Sequence, residues 1–265
     1  MNAAIKLSAP ATHEFWEIPV LFEDEHLLAI DKPAGLPISP DLADAARPSL
    51  MKLLHEGIAA GKPWARERNL TYLSNAHRLE AATSGVLLLA KNKLTLIALA
   101  NLFSSEKVSQ KYLALAHGSP LEEKFAANAK LAPHPVRPGV VHVDGKGGKT
   151  SLTRFTVLER FSNCTLLRCE PAIARPDQIR VHLEHAGWPI VGDELYGGKP
   201  LWLSRIKPNY RLKPGHEERP LISRTALHAE ELILPHPVTG VTVTITAEWP
   251  KDLKVAVKYL RLYAK

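Results

Sequence analysis

The chain has 265 residues, 45% hydrophobic and 23% charged, and its 34 Lys and Arg outnumber 27 Asp and Glu for a formal net charge of +7. That is enough apolar material to bury a core and too much to leave the chain disordered, and the positive balance favours an anionic partner such as nucleic acid. No apolar run approaches membrane-spanning length, so no membrane partner is expected, and the N-terminus lacks the apolar stretch of a secretory signal. Cys164 and Cys169 sit five apart in an alternating apolar segment. Period-two spacing puts them on opposite strand faces, which disfavours a disulfide or a shared metal site. A reducing, cytoplasmic compartment is expected.

Residues 1–17 read as an N-terminal tail, and 18–265 as one domain. Pro19 to Phe22 and Leu27 to Ile30 flank an acidic turn and predict a β-hairpin. Asp31-Lys32-Pro33-Ala34-Gly35-Leu36-Pro37 stops the second strand. Helical apolar spacing runs from Ser49 to Ala60, and Val86 to Ala90 is a short apolar strand. A helix follows from Lys93 to Phe103, with Leu94, Ile97, Ala98 and Leu102 assigned to one face. Lys111 to Ala116, Thr153 to Arg160 and Leu166 to Pro171 read as strands, with a hairpin turn at His142-Val143-Asp144-Gly145. Gln178 to Ala186 predicts a helix that Gly187 terminates. Leu227 to Leu234 and Val241 to Ala247 form a second hairpin, and Lys251 to Tyr263 a basic amphipathic helix. Hairpins mixed with isolated helices predict an α+β fold with a mixed, mainly antiparallel sheet.

His77-Arg78-Leu79-Glu80, followed by Ala81-Ala82-Thr83-Ser84-Gly85, closely resembles the His-Arg-Leu-Asp-x-x-Thr-Ser-Gly motif of the RluA family of RNA pseudouridine synthases. Further blocks follow in the family's order. Ile30-Asp31-Lys32-Pro33-Ala34-Gly35 is similar to its opening turn, and Lys111-Tyr112 to its Lys-x-Tyr strand. Gln178-Ile179-Arg180-Val181-His182 and Gly187 through Gly197 are similar to a second signature, and Leu227-His228-Ala229 with Pro237-Val238-Thr239-Gly240 closes the series. The likeness spans roughly residues 18 to 253. It implies the pseudouridine synthase fold, two subdomains flanking a basic active-site cleft, RNA (ribosomal or transfer) as the partner, no cofactor, no metal, and a monomer.

Isomerising uridine breaks a glycosidic C–N bond and rejoins uracil through C5, and a positioned carboxylate can serve as nucleophile or base. The resemblance puts Glu80 where the family has its catalytic aspartate. It assigns Arg175 as the carboxylate's partner and Tyr112 as a base-contacting residue. It places His77, Arg78, Thr83 and Arg180 in RNA binding, with His77 also read as a support for its loop. Trp202 and Tyr210, in the proline-rich basic stretch from Lys199 to Arg224, suit a strand held by stacking and phosphate contacts, unless that stretch is a solvated insertion. Three departures surround the chemistry: Glu80 for Asp, Ala81-Ala82 in usually polar positions, and Ala174-Arg175-Pro176-Asp177 for Gly-Arg-Thr-His. In an extended chain Asp177 would face the same side as Arg175 and compete for it. Two readings therefore stand: a synthase using glutamate, or a catalytically impaired RNA-binding paralogue on the same scaffold. His182 and His185 share a helix face, but no third metal ligand is evident.

Overall fold

The computed structural model describes residues 4–40, 44, 46–213 and 215–265. In chain order the strands are β1 (Ile5–Ala9), β2 (Glu14–Ile18), β3 (Val20–Glu23), β4 (Leu27–Lys32), β5 (Ser74–Asn75), β6 (Ser84–Ala90), β7 (Ser109–His117), β8 (Lys124–Pro133), β9 (Val141–Val143), β10 (Lys149–Arg160), β11 (Cys164–Pro171), β12 (Leu227–Pro235) and β13 (Thr242–Thr246). The α-helices are α1 (Leu50–Ala59), α2 (Pro63–Arg66), α3 (Lys93–Phe103), α4 (Gln178–His185), α5 (Leu203–Ile206) and α6 (Lys251–Tyr263). The architecture is α+β, and mostly antiparallel. The chain divides into two compact units, the first running to Gln110 with Ala229–Glu248 added, the second Lys111–His228 with Trp249–Lys265.

In the first unit the strand order is β3-β4-β6-β12, with β13 on β12 and β5 at the end of β6. All seven residues of β6 are buried, which is why its sequence is a continuous apolar run instead of an alternating one. It pairs antiparallel with β4 from Leu27↔Ala90 to Lys32↔Gly85. The Asn92 side chain accepts the Thr95 N–H at 2.8 Å and caps α3. Leu99 of α3 enters the core, with Leu96, Leu102 and Phe103 packed around it, while Leu94 is 81% exposed. The inward face therefore differs from the one expected. This helix is apolar around most of its circumference, so periodicity alone does not set its phase.

The expected tail is in part a hairpin. β1 and β2 pair from Ile5↔Ile18 to Ala9↔Glu14, and Ile5, Leu7 and Ala9 are buried in strict alternation. Residues 1–3 lie outside the described set.

The second unit orders its strands β7-β11-β10-β8-β9, and α4 lies against β8, β9, β10 and β11. Strand β8, rich in alanine and lysine and weak in β propensity, is held by its register with β10, from Lys149↔Leu131 to Thr156↔Lys124. The segment expected as a hairpin turn at 142–145 carries the chain from one side of β8 to the other, since β9 and β10 flank that strand. Helix α6 buries Leu253, Ala256, Val257 and Leu260, and its Asp252 accepts two bonds from Arg224 at 2.8 and 3.1 Å. Cys164 and Cys169 are free and buried on β11. Burial pushes the Cys164 thiol up to about 11, and the Cys169 thiol higher still. Among the described residues no helix is long and apolar enough to cross a membrane.

Gly85 is the most tightly enclosed glycine of the first unit. Its φ is +111°, and a Cβ there would lie 2.1 Å from the Ala229 carbonyl oxygen. Gly85→Ala should therefore destabilise the protein by about 3 kcal/mol or more, read as a lowered urea midpoint with β4, β6 and β12 losing hydrogen-exchange protection together.

Candidate active site

The loop from His77 to Thr83 leads into β6 and is fixed from below by a buried cation. Lys32 is 0% exposed, and its ammonium donates to the carbonyls of Pro33 and Leu36, both at 2.8 Å, and of Ala81 at 3.2 Å. Ala81 O also accepts the Gly35 N–H at 2.7 Å. Hydrogen bonding of this kind makes a buried charge tolerable. It ties the turn after β4 to the residue following Glu80. The Glu80 carboxylate accepts the Thr83 hydroxyl at 3.0 Å, and the Glu80 carbonyl accepts the Thr83 N–H at 3.1 Å.

His77 serves the same loop from its other end. Its Nε2 accepts the Leu88 N–H at 3.0 Å, and its ring stacks on Phe103 at 4.9 Å. An Nε2 acceptor requires the neutral ring to carry its proton on Nδ1, and burial holds the pKa down to about 4. His77 is thus a neutral, half-buried wedge between the loop and β6, with its Nδ1 out of contact with solvent. Thr83 is 0% exposed, so its hydroxyl is spent on Glu80 instead of RNA. Arg78 is exposed, as a phosphate or stacking contact requires.

In the second unit Tyr112 is buried on β7 opposite Cys169. Arg175 is half-buried. Its Nε donates to Thr150 O at 3.2 Å and its backbone N–H to Gln178 Oε1 at 3.0 Å. Gln178 also donates through Nε2 to Leu152 O and Thr153 Oγ1, each at 3.0 Å, so it holds the Arg175 segment against β10. The expected competition from Asp177 does not occur through these bonds. Asp177 adopts φ 54° at the start of α4, where its carboxylate takes the Arg180 guanidinium at 2.6 Å and the Tyr196 hydroxyl at 2.9 Å. Arg180 completes its fork on Asp193, at 2.6 and 2.7 Å, and lies over the Tyr196 ring at 4.7 Å. Arg180 was expected on RNA; only 9% exposed, it is instead the centre of an internal ion-pair network. His182 is fully buried with Nδ1 2.9 Å from Thr153 Oγ1.

The 199–224 stretch is pinned at both ends. Leu201 bridges Ile222, Ser204 N–H donates to Glu218 at 2.8 Å, and Lys207 lies over the Tyr263 ring. Trp202 and Tyr210 are half-buried, and Pro214 lies outside the described residues. Lys32, Gln178, Asp193 and Tyr196 carry structural weight that no expectation gave them. For Lys32 the signal was present, a cation ending a strand whose first four residues are apolar.

Comparison with known proteins identifies the fold that holds this loop. The family model described as RNA pseudouridylate synthase matches residues 26–185. The ribosomal large subunit pseudouridine synthase C of Salmonella typhi is 34% identical over 244 residues, which is 91% of this chain and 70% of that protein. The ribosomal large subunit pseudouridine synthase D of Xanthomonas campestris pv. campestris is 35% identical over 245 residues, 91% and 69% of the two chains. Among solved structures, human RNA pseudouridylate synthase domain containing 4 superposes with a TM-score of 0.67 at 22% identity, covering 91% of this chain and 92% of its own. Human RNA pseudouridylate synthase domain containing 1 gives 0.61 at 23% identity, over 92% and 95%. The fold is that of a pseudouridine synthase. The chain belongs to the RNA pseudouridylate synthase family, in its RluA-like branch.

Two stability effects follow from this geometry. Lys32→Met leaves buried carbonyls without their donor and should cost about 3 kcal/mol, measured as a shift in urea midpoint. His77 and His182 are both held near 4 by burial, below the ordinary 6.5. A depressed folded-state pKa leaves their stability intact above pH 6.5 and removes it as pH falls towards 4, by on the order of 3 kcal/mol for each ring. Melting temperature should drop across that window, and less steeply in His182→Gln.

Proposed function

We propose that the chain isomerises uridine to pseudouridine in structured ribosomal or transfer RNA, with Glu80 as the catalytic carboxylate and no metal or cofactor. The observation that carries this reading is the anchoring of Glu80: Lys32 and Gly35 hold the following carbonyl, and the Thr83 hydroxyl meets the carboxylate. A carboxylate with a fixed backbone and a neutral donor is prepared for attack or proton abstraction. Glutamate reaches one bond farther than the family's aspartate, about 1.5 Å, and its bond to Thr83 draws it back along the loop. Arg175 and Tyr112 are assigned to the same reaction by their match to the family motif, as the carboxylate's partner and the base contact. The whole of 18–265 is read as one catalytic domain acting as a monomer. Relatives named for the large ribosomal subunit favour ribosomal RNA over transfer RNA. The target must leave its stack to be reached.

The second reading, an RNA-binding paralogue without turnover, is favoured by the departures at Glu80 and at Ala174-Arg175-Pro176-Asp177. Tritium release from C5-labelled uridine in transcribed large-subunit RNA separates the two. The natural protein should release label, Glu80→Ala should lose at least about a hundredfold, and Glu80→Asp should keep a measurable rate, since a displacement near 1 Å costs about that factor. No release by the natural protein on ribosomal or transfer RNA would leave the paralogue reading standing.

A further inference from the structure

We infer that the second unit carries a phosphate-binding subsite for an RNA strand, in a cleft formed by His134, Arg137, His142 and His185. The choice of RNA as the strand rests on the proposed function; the anion site rests on the residues themselves. The cleft lies where the 133–140 loop, β9 and the end of α4 meet, and encloses about 620 Å³, a size that suits a nucleotide.

Its donors are oriented. His134 Nδ1 accepts the backbone N–H groups of Val136 and Arg137, each at 3.1 Å. The proton of the neutral ring is thereby fixed on Nε2, which is left as a donor. The His142 ring meets His134 edge-on at 5.2 Å, and its Nδ1 is buried with no hydrogen-bond partner among the described residues. Arg137 and His185 are exposed, and no carboxylate among the described residues is ion-paired with Arg137. Two acids lie nearby, and one of them, Asp144, is attracted to His142. Glu184 is exposed on the rim, and Asp144 accepts the Lys146 N–H at 2.9 Å.

Burial, and after it repulsion from Arg137 and His142, holds the His134 pKa below its ordinary value. A bound anion would reverse that repulsion. A guanidinium fork beside imidazole N–H groups matches the tetrahedral oxygens of a phosphodiester. A metal fits less well, because His134 Nδ1 is already occupied and no group of three ligands occurs among the described residues.

The test uses the full chain and its double variant Arg137→Ala/His185→Ala, both positions being exposed, with binding of a short oligouridylate measured against NaCl concentration. The variant should bind more weakly and its log K against log[salt] slope should fall by about one, with KM for uridine isomerisation rising by the same factor as Kd. A slope and Kd equal to those of the natural protein would overturn the subsite. Histidine ring NMR distinguishes the source of the phosphate. Shifts of His134 and His142 that track oligouridylate binding, and need far more inorganic phosphate, support an RNA strand. Equal response to phosphate with none to RNA would overturn the strand in favour of a small-anion site. Failure of the catalytic reading is separate: no tritium release with a reduced salt slope removes turnover and keeps the subsite, and release with an unchanged slope does the reverse.

Discussion

The ammonium of Lys32 is the interaction on which the acidic loop depends. A lysine ending a strand whose other residues are almost all apolar must either reach water or find acceptors. Here it finds three carbonyls, two from the turn that follows it and one from Ala81, forty-nine residues along the chain. The last of these matters most, because it converts a local turn into a clamp on the position next to Glu80. Gly35 donates to the same carbonyl, so the turn after β4 helps to set the loop's backbone. Ala81 and Ala82, which have no polar side chains to offer, can stand where the family has polar residues because backbone groups provide the anchoring at Ala81.

The second unit solves a related problem with opposite charges. Arg180 lies between Asp177 and Asp193 with Tyr196 bonded to the first carboxylate, and the fork geometry of the guanidinium serves both acids. An isolated buried charge would be expensive, whereas this set is paired and hydrogen-bonded. It also disposes of the apparent conflict between Asp177 and Arg175. In an extended chain the two would share a side, but the left-handed backbone at Asp177 starts α4 there and turns its carboxylate into the network. Burial and the adjacent Asp177 carboxylate both push the Tyr196 hydroxyl pKa up, which keeps it a donor.

Most elements were legible because their patterns were unambiguous. The bounds of α3 and α6 were readable to the residue, and β4, β6, β11 and β12 to within a few positions. What was not legible has specific causes. The hairpin of β1 and β2 was hidden in a short stretch before the first motif, although Ile5, Leu7 and Ala9 alternate. Strand β8 has few residues that favour strands and exists through its pairing with β10. The inward face of α3 could not be read from a helix apolar on several sides. The motifs singled out Glu80 and Arg78 in the first unit and Arg175 in the second, but Thr83 and Arg180, named for RNA on the same grounds, are internal supports. Sequence similarity marks a position as constrained without saying whether solvent or core imposes the constraint.

The two thiols on β11 have a practical consequence. Alkylating reagents attack the thiolate, and both side chains are buried and held in the protonated form, so the native protein presents a silent background for sulfhydryl chemistry. A single engineered cysteine on the exposed surface would carry a fluorophore or spin label alone. Either unit can then be probed from one chosen point, without first removing any residue that the fold uses.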